Sequence, residues 1–415
     1  MKLVRALIDN AARAPGEVGK EASNETLFPR TALPKAPVLG WDSFWPLRPA
    51  GLPRVADLPH RYTTSGRAAL LAALRLAALP PGSGVLVPSY HCPTMVAPVV
   101  QAGLTPLYFA LDAQGLPNLD DISPATAAKA RVMFVAQYFG LPHGLHAVLD
   151  WCEARGILLV EDCAHSFFGQ AGSRAVGRWG HYAIGSLSKF FPVAEAGLLA
   201  SAHLPLPSLN LRAPGLRGQF SGALDVLQYA QIHGRLRGPS QLVAPLAWFK
   251  RPAQPDTSTQ ATGVMAAHAI ATMETADMAR AGQAASLAAR VVFATLPELP
   301  IVQQRRANFL VWHSSLSGCA GSRAIAPDLP ESSAPYVYPF WVDGAERADR
   351  VYATLRQARL PVFRWDRIWP GTPAYPGDTG HQWSRHLLQL LCHQSLGSAD
   401  ISYCAQVLRH ALQQH

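Results

Sequence analysis

The sequence predicts an α/β fold in which a mostly parallel central sheet is flanked by helices and followed by a smaller C-terminal α+β domain. From Thr64 to about residue 200, short apolar runs alternate with helical stretches, which is typical of a parallel sheet covered by helices. The 415 residues are enough for two domains. With 49% hydrophobic residues, the chain is neither disordered nor collagen-like nor a coiled coil.

Six apolar runs are predicted as strands of the central sheet. They cover residues 85–87, 106–109, 132–136, 157–160, 182–185 and 197–200. One intervening helix is clear, because Leu145, Val148, Leu149 and Cys152 have the spacing of one helix face, and Gly156 follows as a stop signal. In the C-terminal domain we expect a strand at 336–342 and amphipathic helices around 348–355 and 401–412.

Changes in composition divide the chain into an N-terminal arm, a large domain, bridging helices and a small domain. Their predicted bounds are 1–60, 61–260, 261–300 and 301–415. The large domain ends with a basic insertion at about 201–260, which is rich in proline and glycine. Two interpretations of this insertion stay open: a solvated segment, which its composition favours, or a flap that attracts anions to a site.

Charge and cysteine content argue against several classes of protein. The net charge is +9, but charged residues make up only 15% and no dense basic run occurs, so no nucleic-acid partner is expected. The six cysteines include no Cys-x-x-Cys pair, so neither a disulfide framework nor a metal site is predicted. No apolar run approaches the length of a membrane helix, and we expect a cytoplasmic protein without a membrane partner.

The scarcity of lysine narrows the search for a nucleophilic amine. Only six lysines occur, at positions 2, 20, 35, 129, 189 and 250. An amine nucleophile needs apolar neighbours that lower its pKa. Only Lys189, followed by Phe190-Phe191-Pro192, has such neighbours.

Polar residues directly after the predicted strands are candidate ligand-binding groups, because open α/β sheets bind ligands beyond the carboxyl ends of their strands. Asp162 and His165 follow the run at 157–160. A carboxylate buried there needs a cationic partner, which a protonated pyridine nitrogen would supply. An aspartate that caps the following loop is an equally good interpretation of Asp162 alone.

Three further pieces complete the pattern. Ser65, Gly66 and Arg67 begin a predicted helix whose free N–H groups could hold a phosphate. Ser186 lies three residues before Lys189, and Tyr90 and His91 follow the strand at 85–87, where a ring could stack on a cofactor. Each piece alone has an ordinary structural explanation: a common helix start, a serine in a turn and a core tyrosine.

Together, these pieces fit a pyridoxal phosphate (PLP) site better than any one of them does. Lys189 would hold the cofactor's aldehyde and later move protons, as the catalytic residue. Asp162 would keep the ring nitrogen protonated, so that the ring can accept electrons. The helix start and Ser186 would bind the phosphate, and an aromatic residue would fix the plane of the ring.

The same segments resemble the DegT/DnrJ/StrS family of PLP-dependent sugar aminotransferases, which have the aspartate aminotransferase fold (fold type I). The similarity is carried by the segments 65–70, 87–90, 139–140, 161–165 and 194–197 together with Lys189. It implies Asp162 at the pyridine nitrogen, His165 near the ring hydroxyl, Lys189 bonded to the cofactor, and Ser186 with residues 65–67 at the phosphate. It also implies a homodimer that transfers an amino group from an amino acid, glutamate by analogy, to a keto-sugar attached to a nucleotide.

The chain departs from the family pattern at three places. Ile184 stands where most relatives have the phosphate-binding serine, Cys92 replaces the usual second aromatic, and an Asn-x-Arg segment is not recognisable around 262–267. The serine spacing, Cys92 and the insertion at 201–260 leave open another PLP-dependent reaction on a non-sugar substrate. A catalytically silent binding protein of the same fold is a separate alternative. Residues that could line the substrate side from the small domain are Arg364, Trp365, Trp369 and His393.

Overall fold

The computed structural model describes residues 33–44, 51–236, 238 and 278–415. Within these residues, no helix combines the length and the apolar character that crossing a bilayer requires. Several predicted features lie outside them: most of the N-terminal arm, the bridging segment up to residue 277, the basic residues Arg237, Lys250 and Arg251, and the segment 262–267.

A seven-stranded sheet is the centre of the large domain. Its strands are β1 (His60–Thr63), β2 (Gly84–Pro88), β3 (Thr105–Phe109), β4 (Ala130–Ala136), β5 (Leu158–Asp162), β8 (Tyr182–Ser186) and β9 (Gly197–Ala200), in the order β1-β9-β8-β5-β4-β2-β3. Strands β3, β2, β4, β5 and β8 pair in parallel, whereas β9 pairs antiparallel with β8 and β1. A separate hairpin consists of β6 (Gln170–Ala171) and β7 (Arg174–Ala175). The predicted mostly parallel sheet is confirmed.

Each of the six predicted apolar runs coincides with a strand of this sheet. The residues of β2 are buried throughout, as are most of those of β4 and β5, because helices cover both faces of a parallel sheet. Only β1 was not predicted. Its polar sequence His60-Arg61-Tyr62-Thr63 lies at the edge of the sheet, where one side of the strand faces solvent and no apolar run is needed.

Four helices connect the strands: α1 (Gly66–Leu76), α2 (Pro93–Gln101), α3 (Pro124–Lys129) and α4 (His146–Glu153). Helix α1 begins where predicted, because the Ser65 side chain accepts a hydrogen bond of 3.2 Å from the Ala68 N–H. Helix α4 buries Val148, Leu149 and Cys152, the face that the periodicity predicts. Because β2, β4, β5 and β8 run parallel, their carboxyl ends lie together at one edge of the sheet.

The segment after β9 contains a helix that the sequence did not predict. Helix α5 (Leu216–Ile232) spans 17 residues within the proposed insertion. Its two internal glycines, Gly218 and Gly222, have low helix propensity and obscured it. It packs against α6 (Leu287–Thr295), which precedes α7 (Glu298–Leu316).

The smaller C-terminal domain is built on a four-stranded antiparallel sheet. Its strands are β10 (Ser322–Ala324), β11 (Val337–Val342), β12 (Val362–Phe363) and β13 (Leu387–Leu391), in the order β10-β11-β13-β12. The accompanying helices are α8 (Ala345–Gln357), α9 (Thr379–His386) and α10 (Ser398–Gln414). Strand β11 and helices α8 and α10 lie where the sequence predicts them, and the smaller C-terminal domain is confirmed.

Candidate active site

A cavity of about 320 Å³ lies at the carboxyl ends of β4, β5 and β8. Seven of the predicted site residues line it, namely Ser65, Gly66, Arg67, Asp162, His165, Ser186 and Lys189. They come from segments that are far apart in the sequence, and the parallel strands bring them to one edge of the sheet. Tyr90 and His91 do not line this cavity.

The start of helix α1 forms one end of the cavity. The first N–H groups of a helix have no partner within it and carry partial positive charge, so this end can bind an anion. Gly66 packs against β8: a Cβ atom at Gly66 would lie 3.4 Å from the Ser186 Cβ atom. Ser186 therefore stands beside the helix start, in agreement with the predicted phosphate-binding pair.

Gly197 allows this close approach of strand and helix. A Cβ atom at position 197 would lie 2.3 Å from the Ser65 carbonyl carbon and 2.7 Å from the Gly66 nitrogen, so no larger residue fits without moving the helix start. Beside it, Glu195 forms an ion pair of 2.5 Å with Arg280 and lies 3.9 Å from Arg67. Glu195 thus holds two guanidinium groups near the anion-binding end.

Asp162 ends β5 with its side chain 8% exposed. Burial raises the pKa of this carboxyl group, and the charge of Lys189 and the Ala164 N–H partly oppose that rise. The Ala164 N–H donates to Oδ1 at 2.9 Å, so the residue caps the following loop and also lines the cavity. The structure thus shows the loop-capping contact, and the role of Asp162 at a ring nitrogen stays a prediction.

His165 is a buried, neutral imidazole. Burial, with a smaller contribution from the charge of Lys189, holds its pKa well below the ordinary value. The Phe139 N–H points to Nδ1 at 3.4 Å, so the ring proton belongs on Nε2, which can donate to a ligand. Phe139 adopts a left-handed backbone conformation, with φ of 62°, a strained geometry for a bulky residue.

Lys189 ends a short 3-10 turn after β8. Burial lowers the pKa of its ammonium group, although Asp162 and Cys92 oppose this effect. Its Nζ atom lies 5.3 Å from the ring centroid of Tyr336 and 5.9 Å from that of Trp365. These are the surroundings that make an amine available as a nucleophile.

Arg305 of α7 holds the backbone of Lys189 through a hydrogen bond, and the sequence did not reveal this residue. This fully buried guanidinium donates to the Lys189 carbonyl at 2.6 Å, to the Pro335 carbonyl at 3.2 Å and to Gln394 Oε1 at 3.1 Å. Burial lowers its pKa to about 10, so it stays charged at neutral pH. The available signal was an arginine at helical spacing from the apolar residues Ile301, Val302 and Phe309.

The positions of Tyr90 and His91 do not support the ring-stacking role predicted for them. Tyr90 is fully buried, and its hydroxyl accepts a hydrogen bond of 2.9 Å from Gln389. His91 is held by the Pro88 carbonyl at 2.8 Å and accepts from the Trp369 N–H at 3.0 Å. Both side chains are thus used in packing the C-terminal domain on the sheet.

Cys92 and Trp365 line the cavity instead. Cys92 precedes the first residue of α2, and Trp365 comes from the C-terminal domain with its ring centroid 4.8 Å from that of His165. Among the other small-domain candidates, Arg364 pairs with Asp349 at 2.5 Å with its side chain only 3% exposed, and Trp369 packs against the core of the large domain.

The lining of the cavity fits PLP. It offers a helix start and a serine for a phosphate, a buried carboxylate for a ring nitrogen, a neutral N–H donor for a ring hydroxyl and an amine for an aldehyde. Ser186 lies next to Gly66 despite the departure in serine spacing, and its role at a phosphate stays a prediction.

Comparison with known proteins identifies the chain's relatives. Residues 61–203 match the model of the DegT/DnrJ/EryC1/StrS aminotransferase family. The chain is 22% identical to dTDP-4-dehydro-2,3,6-trideoxy-D-glucose 4-aminotransferase of Saccharopolyspora spinosa, over 85% of this chain and 84% of that protein. It is 28% identical to L-glutamine:2-deoxy-scyllo-inosose aminotransferase of Micromonospora echinospora, over 57% of this chain and 58% of that protein.

A solved structure has a similar fold. A Streptococcus pneumoniae protein solved in its PLP form superposes with a TM-score of 0.59 at 16% identity, over 87% of this chain and 88% of that chain. Through residues 61–203, about a third of its length, this chain is similar to the DegT/DnrJ/EryC1/StrS aminotransferase family.

Proposed function

We propose that this protein is a PLP-dependent aminotransferase that moves an amino group from an amino acid to a keto-sugar or a related cyclic ketone. The observation that carries the proposal is one cavity containing Lys189, Asp162, His165 and the start of α1. The names of the two relatives support a sugar or cyclitol acceptor. We propose glutamate as the donor, with glutamine as the alternative that one relative's name suggests.

Each residue has a defined task in this proposal. PLP, when bound, supplies an electron sink for the carbon that loses its proton. The Lys189 amine holds the aldehyde carbon and afterwards carries the proton between the two reacting carbons. Asp162 keeps the ring nitrogen protonated, and the N–H groups at Ser65–Arg67 together with the Ser186 hydroxyl bind the phosphate.

We also propose that the protein is a homodimer. Four apolar side chains of α5 and α6, those of Leu216, Phe220, Leu287 and Val291, are between 50% and 89% exposed. A patch of this kind on the described surface favours a protein partner, and a second copy is the one that the family resemblance implies.

The first test is covalent labelling of the lysine. Purified protein incubated with PLP should develop the absorption band of a lysine-bound cofactor, and borohydride should fix the cofactor on Lys189, as peptide mapping can show. The Lys189→Arg variant should lose both signals. Lys129→Arg, at the exposed end of α3, is the matched control and should keep them.

The second part of the test distinguishes transamination from other PLP chemistry. The PLP-loaded protein, not treated with borohydride, should convert glutamate or glutamine to its keto acid, and keto-sugars should restore the original absorption band. No band, or a label on another lysine, would contradict the proposed function. A band without keto-acid formation would favour a different PLP-dependent reaction or a silent binding protein.

A further inference from the structure

A second cavity, of about 440 Å³, also borders Lys189. It shares Ser188, Lys189 and Ala194 with the first cavity. It contains neither Asp162 nor the residues at the start of α1, so it has no place for the ring nitrogen or the phosphate of a cofactor. A molecule bound there would meet the Lys189 amine without displacing the group held in the first cavity.

Four separate parts of the chain form the walls of this cavity. They are the N-terminal segment 35–39, residues 188–194 after β8, helix α5 and the C-terminal domain, which contributes Phe363, Leu391 and His393. The N-terminal segment is the least anchored of these by secondary structure, since residues 33–39 belong to no helix or strand. The position of this segment therefore depends on hydrogen bonds to side chains.

Tyr229 and two residues after β13 fix the N-terminal segment. The Tyr229 hydroxyl accepts from the N–H groups of Lys35 at 3.0 Å and Ala36 at 3.2 Å. Ser395 Oγ accepts from the Val38 N–H at 2.9 Å, and His393 Nε2 lies 3.0 Å from the Pro34 carbonyl, to which it donates. The wall is thus tied both to α5 and to the C-terminal domain.

The walls of the second cavity are largely apolar and carry few charged side chains. Leu39, Val193, Val226 and Phe363 contribute apolar surface. Burial lowers the pKa of His393 to about 3, so this imidazole is neutral at neutral pH. Besides Lys189, the charged side chains that line the cavity are Lys35 and Asp225 among the described residues. Walls of this kind favour an uncharged ring over a dicarboxylate or a phosphate group.

We propose that this second cavity is the acceptor pocket, and that it selects a partly deoxygenated ring as the portion of the acceptor next to the reacting carbonyl. The inference rests on the proposed function, because it needs the first cavity to hold the cofactor and Lys189 to carry the proton beside it. Tyr229 is a positioning residue that holds the wall, and Val226 is a specificity residue that presents carbon to the ring. A ring hydroxyl that faces Val226 would lose its hydrogen bonds to water, and the valine side chain offers no hydrogen bond in return.

The first experiment changes the wall. Tyr229→Phe keeps the ring but removes the acceptor of two backbone N–H groups. It should raise the KM for the keto acceptor about 5- to 30-fold, if the loss of one or two neutral hydrogen bonds in the wall is passed on in full to acceptor binding, and leave kcat within about twofold. Borohydride labelling of Lys189 and keto-acid formation from the donor should not change. Tyr352→Phe, on α8 and outside both cavities, is the control.

The second experiment changes the chemistry of the pocket at constant volume. The probes are two pairs of ketones that differ in ring hydroxyls: 2-deoxy-scyllo-inosose with scyllo-inosose, and dTDP-4-dehydro-2,3,6-trideoxy-D-glucose with dTDP-4-dehydro-6-deoxy-D-glucose. The more deoxygenated member of a pair should have the lower KM. Val226→Thr places a hydroxyl on the wall and should narrow that preference by about fivefold, the value of one hydrogen bond.

The outcomes separate the two proposals. An unchanged acceptor KM in Tyr229→Phe, no preference for the deoxygenated ring, or turnover of neither pair would overturn the inference while Lys189 still becomes labelled. Absence of labelling on Lys189 in the unchanged protein would contradict the proposed function, and the inference would fall with it.

Discussion

His165 shows how one backbone contact determines the chemistry of a side chain. The imidazole is neutral because burial lowers its pKa, and the Phe139 N–H occupies Nδ1, so Nε2 carries the proton. A neutral donor near the ring hydroxyl can stabilise the hydroxyl oxygen without adding charge beside Lys189. The strained backbone of Phe139 is the cost of placing that N–H.

We predict that His165→Gln retains function and that His165→Phe does not. Glutamine can place an N–H where Nε2 stands, so the absorption band of the bound cofactor should stay in position and kcat/KM should fall no more than about 10-fold. Phenylalanine removes the donor, and kcat/KM should fall about 10²-fold, as for the loss of one preorganised donor. Spectra and steady-state kinetics of the two variants measure this difference. Equal losses in both would show that His165 acts only through packing.

At the scale of the element, strand β9 and helix α1 form the anion-binding end only because position 197 has no side chain. We predict that Gly197→Ala lowers the affinity for PLP at least 10-fold and destabilises the fold by about 1–3 kcal/mol, the usual cost of overpacking. The added Cβ atom would meet backbone atoms of Ser65 and Gly66, which cannot rotate away. Cofactor titration and chemical denaturation measure the two effects.

Gly282→Ala is the matched control for that variant. A Cβ atom at Gly282 would meet nothing within 4 Å, so this substitution should change neither quantity. If Gly197→Ala binds PLP as tightly as the control does, the anion-binding end does not depend on this packing.

The elements that the sequence predicts best are those whose signal is local. Each apolar run of the parallel sheet is short and continuous, so its end can be located in the sequence. The residues at or just after the strand ends, Asp162 and Lys189 among them, can then be located as well. Tyr90 and His91 could not be placed in the same way, because the irregular turn between β2 and α2 decides which side chain enters the cavity, and that turn presents Cys92. Helix α5 was missed because its glycines hide its periodicity.

At the scale of the whole molecule, the site depends on contacts between the two domains that no local pattern reveals. Trp365 and Arg305 reach the site from the C-terminal half of the chain. Gly140 permits the same junction: its φ is 82°, and a Cβ atom there would lie 2.3 Å from the Tyr336 nitrogen. The Tyr336 N–H donates to the Phe139 carbonyl at 2.8 Å. The strained residue that positions His165 is thus also tied to the segment that carries Tyr336.

Arg305 gives the sharpest test of that dependence. Arg305→Met retains much of the apolar bulk but leaves the carbonyls of Lys189 and Pro335 and the Gln394 amide oxygen without their donor. We predict a loss of about 3 kcal/mol in the free energy of unfolding, at about 1 kcal/mol for each lost hydrogen bond. Because the Lys189 backbone loses its support, the rate of borohydride-trapped labelling should also fall.

Two further variants separate the reasons for that loss. Arg155→Met removes an exposed arginine that stacks on Trp151, and it should change stability by no more than about 0.5 kcal/mol. Arg305→Lys keeps the charge but not the fork of donors, so its stability should fall between that of the unchanged protein and that of Arg305→Met. If Arg305→Lys equals the unchanged protein in both stability and labelling, the buried charge matters and the hydrogen bonds to Lys189 do not. A labelling rate that stays normal in Arg305→Met would show that Lys189 is positioned by the large domain alone.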